Sequence, residues 1–168
     1  MNRDDPVLLD TNAVIEAVRT HCWAAITGQL RVETVEACRQ ELVSGAWSSA
    51  ADYVPVTAAD LKRFSAVHAV DAVARASFKL SYPDADGLDR GEHDLLAYAH
   101  SRLHKPWMVC SPDKASIRAG VFLGFGDRLC SLGELATAVG ASPRPPLRRH
   151  FKTEWLISFR TKMRLQGF

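Results

Sequence analysis

The chain lacks any apolar run that approaches the roughly 18 residues of a membrane-spanning helix. Its first residues, MNRDD, also lack the apolar region of a secretory signal peptide. The four cysteines form no CxxC pair and no zinc-like spacing, and all of them lie in apolar segments. We therefore expect a cytoplasmic protein with buried, free thiols, and neither export nor membrane insertion.

Several catalytic signatures are absent as well. The sequence contains no GxSxG, no GxxxxGK[ST] and no HExxH, and its six histidines show no ligand spacing. No repeat or low-complexity segment is evident. The 168 residues, of which 47% are hydrophobic and 24% charged, are typical of one globular domain with a sizeable core.

The net charge of +2 hides an uneven distribution. Residues 144–168 carry seven Lys and Arg against one acid, whereas the rest of the chain has 14 basic and 18 acidic residues. A basic end on an acidic body favours the binding of a polyanion at that end. We therefore predict nucleic-acid binding by Arg148, Arg149 and Lys152. A solvated basic helix without a partner is the alternative.

Helix and strand patterns alternate along the chain. This alternation predicts an α/β fold, a three-layer α/β/α sandwich with a central parallel sheet of about five strands. The predicted strands are residues 7–10, 30–32, 53–56, 107–111 and 128–130. The predicted helices are residues 12–26, 35–44, 58–77, 91–103, 114–122 and 132–139.

Three prolines, Pro143, Pro145 and Pro146, mark the end of this α/β unit. We therefore divide the chain into a domain at residues 1–142 and a basic extension at residues 143–168. Within the extension, apolar residues recur every four positions and predict a final amphipathic helix. These residues are Phe151, Trp155, Phe159 and Met163.

Acidic residues occur where the predicted elements begin or end. Asp10 and Asp113 each close an apolar strand, and in an open parallel sheet the ligand crevice lies at the carboxyl ends of the strands. With about 100° between successive helical residues, Glu92 faces the core, whereas Asp94 lies about 200° away. Glu41 borders the apolar face of its helix.

Each acid also has a purely structural interpretation. Asp10 and Asp113 could cap the helices that follow them, and Glu92 could interact with the dipole of its own helix. Glu41 could be an exposed helical acid, and Asp94 competes with Glu92 for the third acidic position. Several carboxylates at close range nevertheless require a cation, and Mg²⁺ or Mn²⁺ prefers such oxygens. These ions support phosphodiester hydrolysis without a nucleophilic side chain.

Four short motifs, in order, resemble those of the PIN domain family, which includes many single-strand ribonucleases and the VapC-type toxins. They are VLLDTNAVIEA, CRQEL, LDRGEHDLLAYA and VCSPDKA, and DRLCSLGEL resembles the closing strand and helix of the family. The resemblance covers roughly residues 5–140.

The resemblance implies catalysis by four acids, Asp10, Glu41, Glu92 and Asp113. Three of them, Asp10, Glu92 and Asp113, would bind the metal, and Glu41 would act through water. Asn12 and Ser111 would orient the carboxylates by hydrogen bonds.

The expected function is that of an Mg²⁺- or Mn²⁺-dependent endoribonuclease, and a toxin of a toxin-antitoxin pair is one form of it. Its partners would be an RNA substrate, an antitoxin protein and a second copy of the chain. The alternatives are an RNA-processing or DNA-acting nuclease, a non-catalytic nucleic-acid- or partner-binding domain, and a phosphoacceptor domain that uses Asp10.

Overall fold

The structure, a computed structural model, describes residues 3–45 and 53–167 and contains, within them, one parallel sheet with helices on both faces. The strands are β1 Val7–Leu9, β2 Val32–Val35, β3 Ala66–His68, β4 Met108–Cys110 and β5 Leu129–Cys130. The helices are α1 Thr11–Arg19, α2 Trp23–Gln29, α3 Glu36–Ser44, α4 Ala58–Leu61, α5 Ala72–Ser81, α6 Arg90–His100, α7 Lys114–Phe122, α8 Leu132–Ala138 and α9 Thr153–Leu165. Short 3₁₀ turns occupy Pro83–Gly87, Gly126–Arg128 and Arg149–Phe151.

The five strands are all parallel and lie in the order β3-β2-β1-β4-β5. The order reverses between β1 and β4, since the chain builds outward from β1 in one direction and from β4 in the other. Ligand crevices of open α/β sheets form at such a switch point, outside the carboxyl ends of the strands. Leu9 pairs with Cys110 there, so the residues that follow these two strands emerge side by side.

Successive side chains of each strand point to opposite faces of the sheet and pack into two separate hydrophobic cores. On β1, Leu8 belongs to one cluster, while Val7 and Leu9 belong to the other. The first cluster packs against α5, α6, α7 and α9, and the second against α1, α2 and α8. The predicted α/β/α fold with a parallel five-stranded sheet is confirmed.

The predicted strand at residues 53–56 is wrong, and so is the continuous helix at residues 58–77. Pro55 has no N–H to donate to a ladder, and this segment is irregular. The third strand is instead β3. It pairs with β2 and lies within the range that was predicted to be a helix. Asp71 caps α5 after this strand, because its side chain accepts a hydrogen bond from the backbone N–H of Ala74.

Two other boundaries differ from the predictions. The helix predicted at residues 12–26 is divided into α1 and α2 by His21, which has a positive φ of 57°. The second strand lies at Val32–Val35 rather than at residues 30–32. The remaining predicted strands and helices match the observed elements to within three residues at each end.

The basic extension packs onto the rest of the chain. Phe151, Leu156 and Met163 are buried in the two cores, while Trp155 and Phe159 are half-buried against them. The predicted amphipathic helix is therefore confirmed as α9. All four cysteines are buried and unpaired. None of the helices in the described part of the chain is long and apolar enough to cross a membrane.

Candidate active site

Asp10 lies at the switch point of the sheet, between the carboxyl ends of β1 and β4. It follows β1, is only 2% exposed, and its carboxylate makes no capping hydrogen bond to α1. Its Oδ2 instead accepts a hydrogen bond of 3.4 Å from the hydroxyl of Ser111, which follows β4. Capping therefore does not account for this buried carboxylate.

Burial and neighbouring acids strongly raise the pKa of the Asp10 carboxyl. Its pKa rises from 3.8 to about 7, chiefly because burial disfavours the charged form and next because Asp89 is near. The charges of Glu41 and Asp113 raise this pKa further. A carboxyl whose pKa approaches neutrality inside a crevice is a typical functional-site signal.

Asp113 lies beside Asp10 but also caps a helix. Its Oδ1 accepts hydrogen bonds from the backbone N–H groups of Ala115, at 2.6 Å, and Ser116, at 3.4 Å. Its own backbone N–H donates to the Ser111 hydroxyl at 3.3 Å. Ser111 thus connects the two acids at the strand ends, and the capping interpretation is correct for Asp113 without excluding a second role.

Glu92 is the third acid of this group. It is 6% exposed, and its pKa rises to about 8 because of burial, followed by the charges of Asp113, Asp89 and Asp10. Glu92 also completes a capping box with Asp89 at the start of α6. The backbone N–H of Glu92 donates to Asp89 Oδ1 at 2.8 Å, and that of Asp89 donates to Glu92 Oε2 at 3.3 Å.

Asp94 has a different environment. Its two carboxylate oxygens accept hydrogen bonds from Nε and Nη2 of Arg75 on α5, at 2.6 and 2.7 Å. Burial alone would raise the pKa of Asp94, but the hydrogen bonds and charge of Arg75 outweigh it and hold that pKa below its ordinary value. Both acids are buried, Glu92 at 6% and Asp94 at 3% exposed, so the expectation that only Glu92 faces inward is wrong. The two acids differ in their partners instead: the charges of Asp113 and Asp10 act on Glu92, whereas Arg75 engages Asp94.

Glu41 reaches the same region from α3. Its Oε2 accepts a 2.6 Å hydrogen bond from the hydroxyl of Thr11. A Cβ at Gly91 would lie 2.7 Å from both carboxylate oxygens of Glu41, so the acid is seated against the first turn of α6. The orienting contact comes from Thr11, whereas Asn12 is exposed, and the orienting role of Asn12 stays a prediction.

Sequence reasoning missed two members of this group, Asp89 and Thr11. Asp89 could have been found from the capping-box spacing of DRGE, in which an Asp precedes a Glu by three residues. Thr11 could have been found from its position directly after the strand-end acid. Thr11 donates a hydrogen bond to Glu41, and the charge of Asp89 raises the pKa of Asp10. In both cases the two residues belong to segments that are far apart in sequence.

The donor set suits a hard cation. Carboxylates prefer Mg²⁺ or Mn²⁺ to softer metals, and the raised pKa values of Asp10 and Glu92 reflect a cost that a bound cation would offset. In residues 3–45 and 53–167, however, no three His, Cys, Asp or Glu side chains are placed to ligate one ion. The chemistry of the donors fits a divalent ion, although these side chains are not grouped around one position in this structure.

Part of the basic extension lies beside this site. His150 and Phe151 line the same small surface gap as Ser111 and Pro112. Arg148 turns toward α1, where its backbone N–H donates to Glu16 Oε1 at 2.7 Å and its Nε lies 3.8 Å from Glu16 Oε2. The basic extension thus contacts the segment that follows β4, at the carboxyl edge of the sheet.

Comparisons with protein-family models, curated proteins and solved structures found no match to this chain. The functional assignment depends on the site itself.

Proposed function

We propose that this protein is a divalent-metal-dependent endoribonuclease of the PIN type. One observation carries the proposal: three acids, Glu41 of α3, Asp89 at the N-cap of α6 and Asp113 after β4, all raise the pKa of Asp10 at the switch point of the sheet. Within the described residues, the buried carboxylate of Asp10 neither caps a helix nor forms an ion pair, so its position requires another reason. Binding of a cation that acts on a phosphodiester supplies that reason.

Asp10, Glu92 and Asp113 would hold the ion, which when bound lowers the pKa of a coordinated water and offsets the charge of the scissile phosphate. Ser111 fixes the direction of Asp10 through the hydroxyl hydrogen bond to Oδ2. Thr11 holds Glu41 at the border of the site, where its carboxylate can orient water. These hydrogen bonds limit how far each acid can turn away from the crevice.

RNA is the proposed substrate because the basic extension borders the acidic crevice. Arg149 and Lys152 are exposed on this extension, and exposed cations reduce the repulsion between an acidic site and a polyanion. A cytoplasmic location agrees with four unpaired cysteines. An antitoxin and a second copy of the chain are the predicted protein partners, and a neighbouring reading frame that encodes a small DNA-binding protein would support the antitoxin.

The test is a cleavage assay with end-labelled single-stranded RNA, duplex RNA and single-stranded DNA, each with Mg²⁺, Mn²⁺ or EDTA. We expect metal-dependent cleavage of single-stranded RNA by the wild type and none by Asp10→Asn. Asp127→Asn is the matched control, because Asp127 is exposed and precedes β5, at the amino ends of the strands and away from the site. Preferential cleavage of DNA would redirect the proposal to a DNA-acting nuclease. A complete lack of metal-dependent cleavage on all three substrates would contradict it.

A further inference from the structure

Three aromatic rings form a continuous ladder on the basic extension. The ring of Trp155 is stacked with that of Phe159, with centroids 5.5 Å apart and planes 4° apart. On the other end, the ring of His150 lies 4.8 Å from that of Trp155 at an angle of 48°. Trp155 and Phe159 are half-buried against the core, whereas His150 is exposed. His150 is therefore the accessible end of a ladder anchored in the domain.

Two cations flank this ladder. Arg149 and Lys152 line a concavity of about 240 Å³ together with Glu154, Trp155 and Ser158. Neither cation takes part in an ion pair within the part of the chain that the structure describes, and both are exposed. They differ in this respect from Arg164, which pairs with Asp127 at 2.7 Å near the distal end of α9.

The ladder begins beside Ser111, which follows β4. His150 lines the gap next to Ser111, whose hydroxyl contacts Asp10. Two residues after Phe151, the hydroxyl of Thr153 lies 3.1 Å from that of Ser131, at the carboxyl end of β5. These contacts attach the start of the extension to the same edge of the sheet as the candidate active site.

We propose that residues 149–155 form a track for single-stranded RNA that leads into the acidic crevice. The proposal rests on the proposed nuclease function and names the substrate contacts of that site. The exposed ring of His150, supported by Trp155, stacks on an unpaired base, and Arg149 and Lys152 contact the backbone phosphates. A duplex does not fit this chemistry, because its bases are already stacked on one another.

The test measures binding in the Asp10→Asn background, so that the RNA is not cleaved during titration. The probe is a fluorescein-labelled single-stranded RNA of about 12 nucleotides, a length within the range that one stacking site covers. We expect His150→Ala to weaken binding about 10-fold, as loss of one stacked base does. His150→Phe keeps a flat ring and should bind within about 2-fold of the background protein.

The two cations are tested by the salt dependence of the same binding. Arg149→Ala and Lys152→Ala should each flatten the slope of log affinity against log salt by about 0.7, the value for one phosphate contact on a single strand. Lys162→Ala is the control, since Lys162 is an exposed cation of α9, roughly 15 Å along the helix axis from Lys152 at its N-cap. It should leave both affinity and slope nearly unchanged.

Unchanged affinity in His150→Ala together with an unchanged salt slope in the two cation variants would overturn the track. A change of elution volume in those variants, without a change in RNA binding, would overturn it too and would identify the extension as an assembly element. Equal or tighter binding of a duplex or of single-stranded DNA of the same sequence would contradict the choice of single-stranded RNA. The two proposals can fail separately. If the wild type cleaves RNA but the track variants bind it normally, only the track is wrong. If the track variants lose RNA binding but the wild type does not cleave, only the nuclease function is wrong.

Discussion

The carboxylate of Glu41 occupies the space that a side chain at Gly91 would require. Both Glu41 oxygens lie 2.7 Å from the position of a Cβ at Gly91, and this contact joins α3 to the first turn of α6. Glycine at this position therefore lets the carboxylate of Glu41 pack against the first turn of α6. The relationship predicts that the site is sensitive to one added methyl group.

Gly91→Ala should displace Glu41 and lower cleavage activity at least about 10-fold, since a misplaced group at a reacting centre costs about that much or more. The same exchange at Gly28 in α2 is the control, because a Cβ there has no heavy atom within 4 Å. Alanine is favoured over glycine within a helix, so Gly28→Ala should raise the free energy of unfolding by up to about 1 kcal/mol. Urea unfolding and the cleavage assay measure both effects. An equal gain in stability and full activity in Gly91→Ala would show that the contact has no consequence.

Asp10→Asn should stabilise the metal-free protein at alkaline pH. The folded-state pKa of Asp10, about 7, lies above its ordinary value of 3.8, so the folded state binds the proton more tightly. The free energy of unfolding of the wild type should therefore fall as pH rises between these two values and level off above them. Across this pH interval the free energy of unfolding should fall by at most about 4 kcal/mol.

Urea unfolding in EDTA at pH about 4 and about 8 measures this difference. The gain in Asp10→Asn over the wild type should be large at the higher pH and small at the lower. The Asp127→Asn control should show no comparable gain, because that acid is exposed and paired with Arg164. An Asp10→Asn protein that is less stable than the wild type at the higher pH would contradict the burial argument.

Metal binding should release protons near neutral pH. The pKa values of Asp10 and Glu92, about 7 and about 8, imply that both carboxyls are partly protonated there, and a bound cation favours their charged forms. Calorimetric titrations with Mn²⁺ in buffers of different ionisation enthalpy count these protons. We expect release near pH 7 that declines as pH rises past about 8, and an affinity that increases over the same range. Binding without proton release, or binding retained in Asp10→Asn, would place the ion elsewhere.

Glu92→Gln should reduce cleavage far more than Asp94→Asn. The charges of Asp113 and Asp10 raise the pKa of Glu92, whereas Asp94 is engaged by Arg75. Asp94→Asn should chiefly cost stability, roughly 1–2 kcal/mol, through loss of a charged hydrogen-bonded pair. Parallel unfolding and cleavage measurements separate the two effects. Equal losses of activity, or the reverse order, would assign the third acid to Asp94.

The strand-end acids were predictable because each closes a short apolar run before a helix begins. Helical phase predicted the burial of Glu92 but not that of Asp94, whose carboxylate is buried because it pairs with Arg75 of α5. Local pattern failed where tertiary pairing decides the structure: Ala66–His68 is only three residues long and becomes a strand because it pairs with β2. The contact of Glu41 with Gly91 and the nearness of Asp89 to Asp10 depend on how α3 and α6 pack, which sequence spacing does not specify.

The most direct test of the central claim is the single-turnover rate of RNA cleavage as a function of Mn²⁺ concentration, for the wild type and Asp10→Asn. The wild-type rate should saturate with metal, and Asp10→Asn should lose at least about 1,000-fold at every concentration while its fold is retained. The Asp127→Asn control should follow the wild type. Cleavage by Asp10→Asn at the wild-type rate, or cleavage by the wild type that persists in EDTA, would contradict the account.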